Sequence, residues 1–136
     1  MGNEFVDLFD RWAQSYDSTV SGLDEEYKDV FENYETILQE VASRVDGFII
    51  EFGPGTGNLT KRLLSKQNTT VLAVEPSEKM REKANLKVPK ANIVHGDFLQ
   101  FPTPKQKVDG IVSTYAFHHL TDEEKLIALK RYHSLL

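Results

Sequence analysis

Apolar residues fall into two rhythms along the chain, and the change between them comes at Gly47. Before it, Tyr27, Val30, Phe31, Tyr34, Ile37, Leu38, Val41, Ala42 and Val45 recur at intervals of three and four. That spacing predicts a helix with one buried face, and Gly47 is expected to close it as a C-terminal cap. A shorter helix is predicted from Phe5, Leu8, Phe9 and Trp12, followed by a polar loop from Ser15 to Leu23. After Gly47, short apolar runs alternate with helical segments. Strands are predicted at Phe48–Phe52, Thr70–Val74, Asn92–His95 and Val108–Thr114. Helices are predicted at Asn58–Lys66, from a Ser77 cap to Leu86, and from Thr121 onward. Thr121-Asp122-Glu123-Glu124 has the Thr-x-x-Glu form of a capping box. Phe101 to Lys107, with two prolines, reads as a loop.

Near-continuous apolar strands alternating with helices imply an α/β fold: a Rossmann-like, doubly wound parallel sheet covered on both faces, with N-terminal helices preceding it. Right-handed crossovers restrict its layout. Ligands in such sheets bind beyond the C-terminal ends of the strands. The chain is expected to form one domain, 1–136, in which 1–47 is a helical lid and 48–136 the sheet core.

Composition narrows the function classes. The chain has 136 residues, 40% hydrophobic and 27% charged, as in an ordinary globular domain. Its formal net charge of -5 disfavours nucleic acid or an anionic membrane as obligatory partner. With no cysteine, disulfides, thiolate metal sites and a Cys nucleophile are excluded. No run of His and carboxylates has metal-ligand spacing, so no metal site is expected. No apolar run reaches membrane-spanning length, and the first residues lack a signal-peptide pattern. A cytoplasmic protein is the expectation.

The chemistry concentrates at Glu51-Phe52-Gly53-Pro54-Gly55-Thr56-Gly57-Asn58. A buried strand ends in an acid, and three glycines at alternate positions precede a helix. Glycine suits positive φ and the close approach of a ligand, so a nucleotide-like ligand is expected here. The dinucleotide fingerprint wants glycine where Asn58 stands, and the P-loop wants Gly-Lys-Ser/Thr where Gly57-Asn58-Leu59 stands. Glu75 ends the second strand, before Pro76 and Ser77. Asp97 and Phe98 follow the third, after His95 and Gly96. The fourth ends Ser113-Thr114-Tyr115-Ala116-Phe117-His118-His119-Leu120.

Acid-x-Gly-x-Gly-x-Gly, read as Glu51, Gly53, Gly55 and Gly57, resembles motif I of the class I S-adenosylmethionine-dependent methyltransferases. The other strand ends, and the segment Trp12-Ala13-Gln14-Ser15-Tyr16-Asp17, resemble the small-molecule branch of that family. The resemblance implies S-adenosyl-L-methionine as cofactor, S-adenosyl-L-homocysteine as product, and a small-molecule methyl acceptor. It implies that Glu51 takes the cofactor's ammonium, and that the turn amides from Gly53 through Pro54 and Gly55 to Gly57 take its carboxylate. Glu75, followed by Pro76, takes the ribose hydroxyls. Asp97 receives the adenine amino group and the Phe98 N–H meets the ring. Ser113 and Tyr16 complete the cofactor site. From side-chain chemistry alone, His118 or His119 could be a general base that deprotonates a substrate, and His118 is the candidate.

Each assignment has a structural competitor. Glu51 and Glu75 could be solvated strand-end acids. Asp97 could cap its own turn. One of His118 and His119 could hold the loop before Thr121. Tyr16 could pack under Trp12, and Lys61 and Arg62 read as a solvated helix face. No Asn-Pro-Pro-Tyr segment follows the fourth strand, which disfavours amino groups of DNA bases and glutamine side chains as acceptors. The family's sheet has seven strands in order 3-2-1-4-5-7-6, whereas this chain supplies the first four and is expected to be truncated. The fourth strand would then be an exposed edge, a possible seam for a dimer. The competing functions are an NAD-dependent oxidoreductase and a non-catalytic cofactor-binding module.

Overall fold

The computed structural model describes residues 33–114 and 117–136. The expectations resting on Phe5 to Phe31, on Tyr16, and on Tyr115 and Ala116 fall outside the described residues. Within them the order is α1 (Tyr34–Ser43), β1 (Gly47–Phe52), α2 (Asn58–Leu64), β2 (Thr69–Glu75), α3 (Glu78–Lys87), β3 (Asn92–His95) and β4 (Gly110–Ser113). A 3₁₀ turn (Phe117–His119) and α4 (Asp122–Leu135) follow. The strands form one parallel sheet in the order β3-β2-β1-β4. This is the expected Rossmann-like arrangement.

Strand periodicity explains the layers. Side chains alternate between faces, so Ile49, Val71, Ala73 and Val112 point to one side, where Tyr34, Leu38 and Ala42 of α1 and Leu59 and Leu63 of α2 bury them. Ile50, Phe52, Leu72 and Val74 point to the other, against Phe98, Phe101, Leu120, and Ala128 and Tyr132 of α4. β1 lies between β2 and β4, with Ile49 to Phe52 all buried, and β2 between β3 and β1, with Val71 to Glu75 all buried. Two helix starts carry the caps their sequences announce. The Ser77 hydroxyl accepts from the Met80 N–H, and Thr121 and Glu124 form the reciprocal capping box of α4.

Two expectations are corrected. Gly47 does not cap the preceding helix, which ends at Ser43 with Arg44 as its cap. Gly47 instead opens β1, paired with Thr69, at φ +88. It is glycine because a Cβ there would collide with the Asp109 carboxylate, lying 2.8 Å from its Cγ. That carboxylate is committed: it accepts from the Phe48 N–H at 2.8 Å, while the Asp109 N–H donates to the Phe48 carbonyl at 2.8 Å. The segment 34–43, the described part of the expected lid, packs against the sheet, with Tyr34, Leu38 and Ala42 all buried. The fourth strand is shorter than expected, Gly110–Ser113; ahead of it the Asp109 N–H still bonds the Phe48 carbonyl of β1, while the Val108 N–H bonds the Leu135 carbonyl at the end of α4.

Gly47→Ala is expected to lower stability by about 2 kcal/mol, through backbone strain at positive φ and loss of the Asp109 bracket. Urea unfolding checks this: the midpoint should fall with the slope unchanged.

Candidate functional site

The turn after β1 runs through three glycines of positive φ: Gly53 at +70, Gly55 at +59 and Gly57 at +96. Side chains rarely adopt that region, which explains the alternate spacing. The turn is held by its own amides. The Gly53 N–H donates to the Val74 carbonyl, the Gly57 N–H to the Pro54 carbonyl, and the Gly55 N–H to Oε1 of Glu75, each at 2.9 Å. These three amides are therefore engaged internally, and the turn offers a ligand clearance along its backbone. Gly57 serves a further purpose, because a Cβ there would stand 3.2 Å from Val88 and 3.4 Å from Ala84, where α3 crosses the start of α2.

The two acids share one face of the sheet. Glu51 has the parity of Ile49, and Glu75 that of Val71 and Ala73, so both point toward the α1–α2 layer. Both are buried, Glu51 at 1% and Glu75 at 4% exposure, which removes the solvated strand-end alternative. Oε1 of Glu51 accepts from the Thr60 hydroxyl of α2 at 2.5 Å. Burial pushes the Glu51 carboxyl up to about 7, against the opposing Thr60 hydrogen bond, with the Glu75 charge adding to the rise. Oε2 of Glu75 accepts from the Ser77 N–H at 2.9 Å, so this carboxylate braces both the glycine turn and the start of α3. The carbonyls of Glu75 and Pro76 accept from the Arg81 guanidinium at 2.8 and 3.1 Å.

At the end of β3, Asp97 does cap its own turn. Its Oδ1 accepts from the N–H groups of Leu99 and Gln100, both at 2.8 Å, and its N–H donates to the Gln100 carbonyl at 2.8 Å. Oδ2 of Asp97 and the Phe98 N–H have no hydrogen-bond partner among the described residues. The loop thus presents an acceptor beside a donor. The edge of an adenine ring carries the complementary pair, an amino donor at N6 and an acceptor at N1. The Phe98 side chain is buried away from that edge, stacked on Phe52 with ring centroids 5.4 Å apart.

Ser113, at the end of β4 opposite Phe52, has a buried hydroxyl without a hydrogen-bond partner among the described residues. Buried polar groups are nearly always paired, so a ligand that supplies a partner fits this position. His118 is exposed and His119 half-buried, their rings 4.2 Å apart. Partial burial, then the His118 charge, holds His119 below the usual imidazole range.

Some of what holds the site carried no sequence signal. Thr60 is nine residues from Glu51, and Arg81 six from Glu75; only the fold joins them. Lys87 donates to the side chains of Asn58 and Thr56, and Asn58 donates to the Tyr34 hydroxyl at 3.1 Å. Asn58, where a dinucleotide fold has glycine, thus ties α1, α2 and α3 together. Lys61 and Arg62 do not stand on a fully solvated face. With Glu35, Asn58, Ser65 and Lys87 they line a concavity of about 440 Å³, where Arg62 pairs with Glu35.

A parallel sheet in the order β3-β2-β1-β4, with a glycine turn and two buried acids near the strand ends, defines a Rossmann-like domain. The methyltransferase domain family matches residues 49–136, and the chain belongs to that family. It is 60% identical over 137 residues to an "uncharacterized methyltransferase" of Geobacillus sp. (strain WCH70), covering 100% of this chain and 64% of the relative. It is 52% identical over 132 residues to the "uncharacterized methyltransferase YrrT" of Halobacillus halophilus, covering 97% and 62%. The chain therefore spans just under two thirds of the length of these relatives. Among solved structures, the "DhpI-SAM-HEP complex" superposes with a TM-score of 0.76 at 20% identity, over 98% of this chain and 60% of that one. CalS10, an amino pentose methyltransferase of Micromonospora echinaspora solved with SAM bound, superposes with a TM-score of 0.69 at 19% identity, over 82% and 50%. These likenesses bear out the fold.

The buried Glu51 generates a stability prediction. Its folded pKa, about 7, lies above the ordinary carboxylate value of 4.5. The folded state therefore holds its proton longer than the unfolded state, and stability falls as pH rises from 4.5 through 7. The cost at alkaline pH is about 3 kcal/mol. Glu51→Gln, which cannot ionise, should exceed the parent in stability at pH 8 by more than at pH 5. Urea unfolding at the two pH values checks this, and an equal difference at both would count against the burial assigned to Glu51.

Proposed function

We propose that the protein is an S-adenosylmethionine-dependent methyltransferase acting on a small-molecule acceptor by in-line displacement. The observation that carries this reading is the row of ligand-ready groups at one end of the sheet: buried Glu51 without a cation, the Asp97–Phe98 acceptor–donor pair and the orphaned Ser113 hydroxyl. The residues present fit the cofactor. Glu51 would hold its ammonium, Glu75 with Pro76 its ribose side, Asp97 and Phe98 its adenine, and Ser113 a further polar edge. Gly53, Pro54, Gly55 and Gly57 would border its methionine end. Tyr16 belongs to the same reading, as does a cytoplasmic location.

When bound, S-adenosylmethionine supplies a methyl group on a sulfonium, which leaves as a neutral thioether. The protein's work is then positioning a nucleophile in line and excluding water. Where the acceptor must lose a proton, His118 is the assigned base, 3₁₀-turn neighbour to the end of β4. The cofactor's ammonium would stabilise the Glu51 carboxylate, so binding should release a proton near neutral pH.

Calorimetric titration tests the reading. S-adenosylhomocysteine should bind and NADH should not; the opposite result favours an oxidoreductase. Gly55→Val should abolish binding, because a branched side chain at φ +59 distorts the turn and occupies the ligand's path. Retained affinity would overturn the placement of the site. Release of S-adenosylhomocysteine in a screen of metabolites, lost in His118→Ala with binding intact, separates an enzyme from a binding module.

The dimer belongs to this proposal as well. β4 is the last strand of the described sheet, paired on one side with β1. Nearby α4 exposes Leu126 at 55%, Ile127 at 52% and Leu129 at 54%. Such apolar surface beside an open strand edge favours association. Sedimentation should show a dimer at micromolar concentration; a monomer at all concentrations would refute it.

A further inference from the structure

We infer that Tyr132 and Arg131, near the end of α4, are positioning residues that set the cofactor site's selectivity for adenine. The inference rests on the adenine reading of the Asp97–Phe98 loop and extends it to the helix that holds the loop's carbonyls.

The backbone of this loop can be followed group by group. The Asp97 N–H bonds the Gln100 carbonyl, and the N–H groups of Leu99 and Gln100 bond Oδ1 of Asp97. The two intervening carbonyls are taken by α4. The Tyr132 hydroxyl donates to the Phe98 carbonyl at 2.5 Å, and the Arg131 guanidinium donates to the Leu99 carbonyl at 2.5 Å. With those groups satisfied, the Phe98 N–H is left as the donor, and Oδ2 of Asp97 as the acceptor, available for a ring edge. The clamp therefore determines which groups of the loop remain for a ligand.

Both clamping side chains are themselves held. The Tyr132 ring stacks on Phe52, centroids 4.7 Å apart, and meets Phe101 edge-on at 6.2 Å. Phe52 immediately precedes the glycine turn, so the ring that fixes the Phe98 carbonyl is also packed against the strand that carries Glu51. Burial pushes the Tyr132 hydroxyl up, and the Asp97 charge adds to this, so it stays protonated and can only be a donor to the Phe98 carbonyl. Arg131 lies over the Phe101 ring at 4.1 Å and donates to the Thr103 hydroxyl at 2.8 Å. Its planar fork thus spans Leu99 and Thr103 while its face rests on an aromatic ring between them.

Tyr132→Phe removes one hydrogen bond and keeps the stacked ring. The Phe98 carbonyl, left buried and unpaired, must turn to find a partner. That turn moves the Phe98 N–H relative to Oδ2 of Asp97, and the pair loses its match to the ring edge. Arg131→Met should act in the same direction through Leu99.

The test compares two ligands in the intact protein by calorimetry: S-adenosylhomocysteine and its deaminated analogue, S-inosylhomocysteine. The analogue reverses the edge, with a carbonyl replacing the amino donor and an N–H replacing the ring acceptor. The parent should prefer the adenine ligand. Tyr132→Phe should reduce that preference by roughly threefold to tenfold, the magnitude of one hydrogen bond, with Arg131→Met reducing it less. Equal weakening of both ligands in Tyr132→Phe and Arg131→Met would assign the two residues a purely structural role and overturn the inference. A parent protein that binds both ligands equally would instead sink the adenine reading itself, and the clamp with it. Asp97→Asn should erase the preference while the clamp is untouched, which keeps the two failures distinct.

Discussion

Glu51 is the last residue but one of β1, buried on a face made by Leu38, Leu59 and Leu63, with the Thr60 hydroxyl as its donor. A carboxylate in that position is costly when ionised, and its raised pKa is the direct expression of that cost. The surrounding residues are arranged to tolerate it. A threonine on α2 supplies one hydrogen bond, and the second buried acid, Glu75, is occupied by backbone N–H groups from the turn and from Ser77. Stability alone would favour glutamine or an apolar residue at 51. A cationic ligand, as in the function proposed above, would account for an acid being kept there.

The glycine turn contributes differently from what its pattern suggests. Its glycine amides are bonded to Val74, Glu75 and Pro54, so they define its shape before any ligand arrives. The absence of Cβ atoms supplies room, and the recognition groups come from the neighbouring strand ends. Glu75 is pivotal because it serves as both brace and candidate ligand group. A ribose reaching that carboxylate must share it with Gly55 and Ser77, which couples ligand binding to the conformation of the turn. At Asp97 one oxygen holds its own loop, and the other has no hydrogen-bond partner among the described residues. Of the two alternatives the sequence poses at this residue, the structural cap is seen directly, and it leaves one oxygen over for the ligand role proposed above.

The sheet was legible because its signals are local. Alternating apolar runs marked the strands, and Ser77 and Thr121 marked helix starts through cap chemistry confined to four residues. Asn92–His95 was placed with its boundaries. Gly47 was misplaced because a glycine just past an apolar helical stripe reads as a helix cap, and the neighbour that requires glycine at the start of β1, Asp109, is 62 positions away. The candidate site was legible at its acids and glycines for the same reason, since each stands at a strand end. Thr60, Arg81, Lys87 and Tyr132 were not, because their partners lie on other elements and their residue types are ordinary for helix surfaces. Helices contribute second contacts to the site without any periodic sign of doing so.

An aromatic seam connects these parts. Phe52 stacks with Phe98 and Tyr132 and meets Phe101 edge-on, and Phe98 in turn meets Phe117 at 5.4 Å. Through it, the ends of β1, β3 and β4 and the face of α4 share one packed cluster on the side of the sheet opposite Glu51 and Glu75. The site is thus divided by the sheet's own alternation: acids and helix starts on one face, rings and carbonyl clamps on the other. Adjacent positions 51 and 52 belong to opposite halves. In the function proposed above, a ligand lying across the strand ends would meet both faces. An elongated molecule that is charged at one end and a purine at the other matches that division, which a compact substrate would not need.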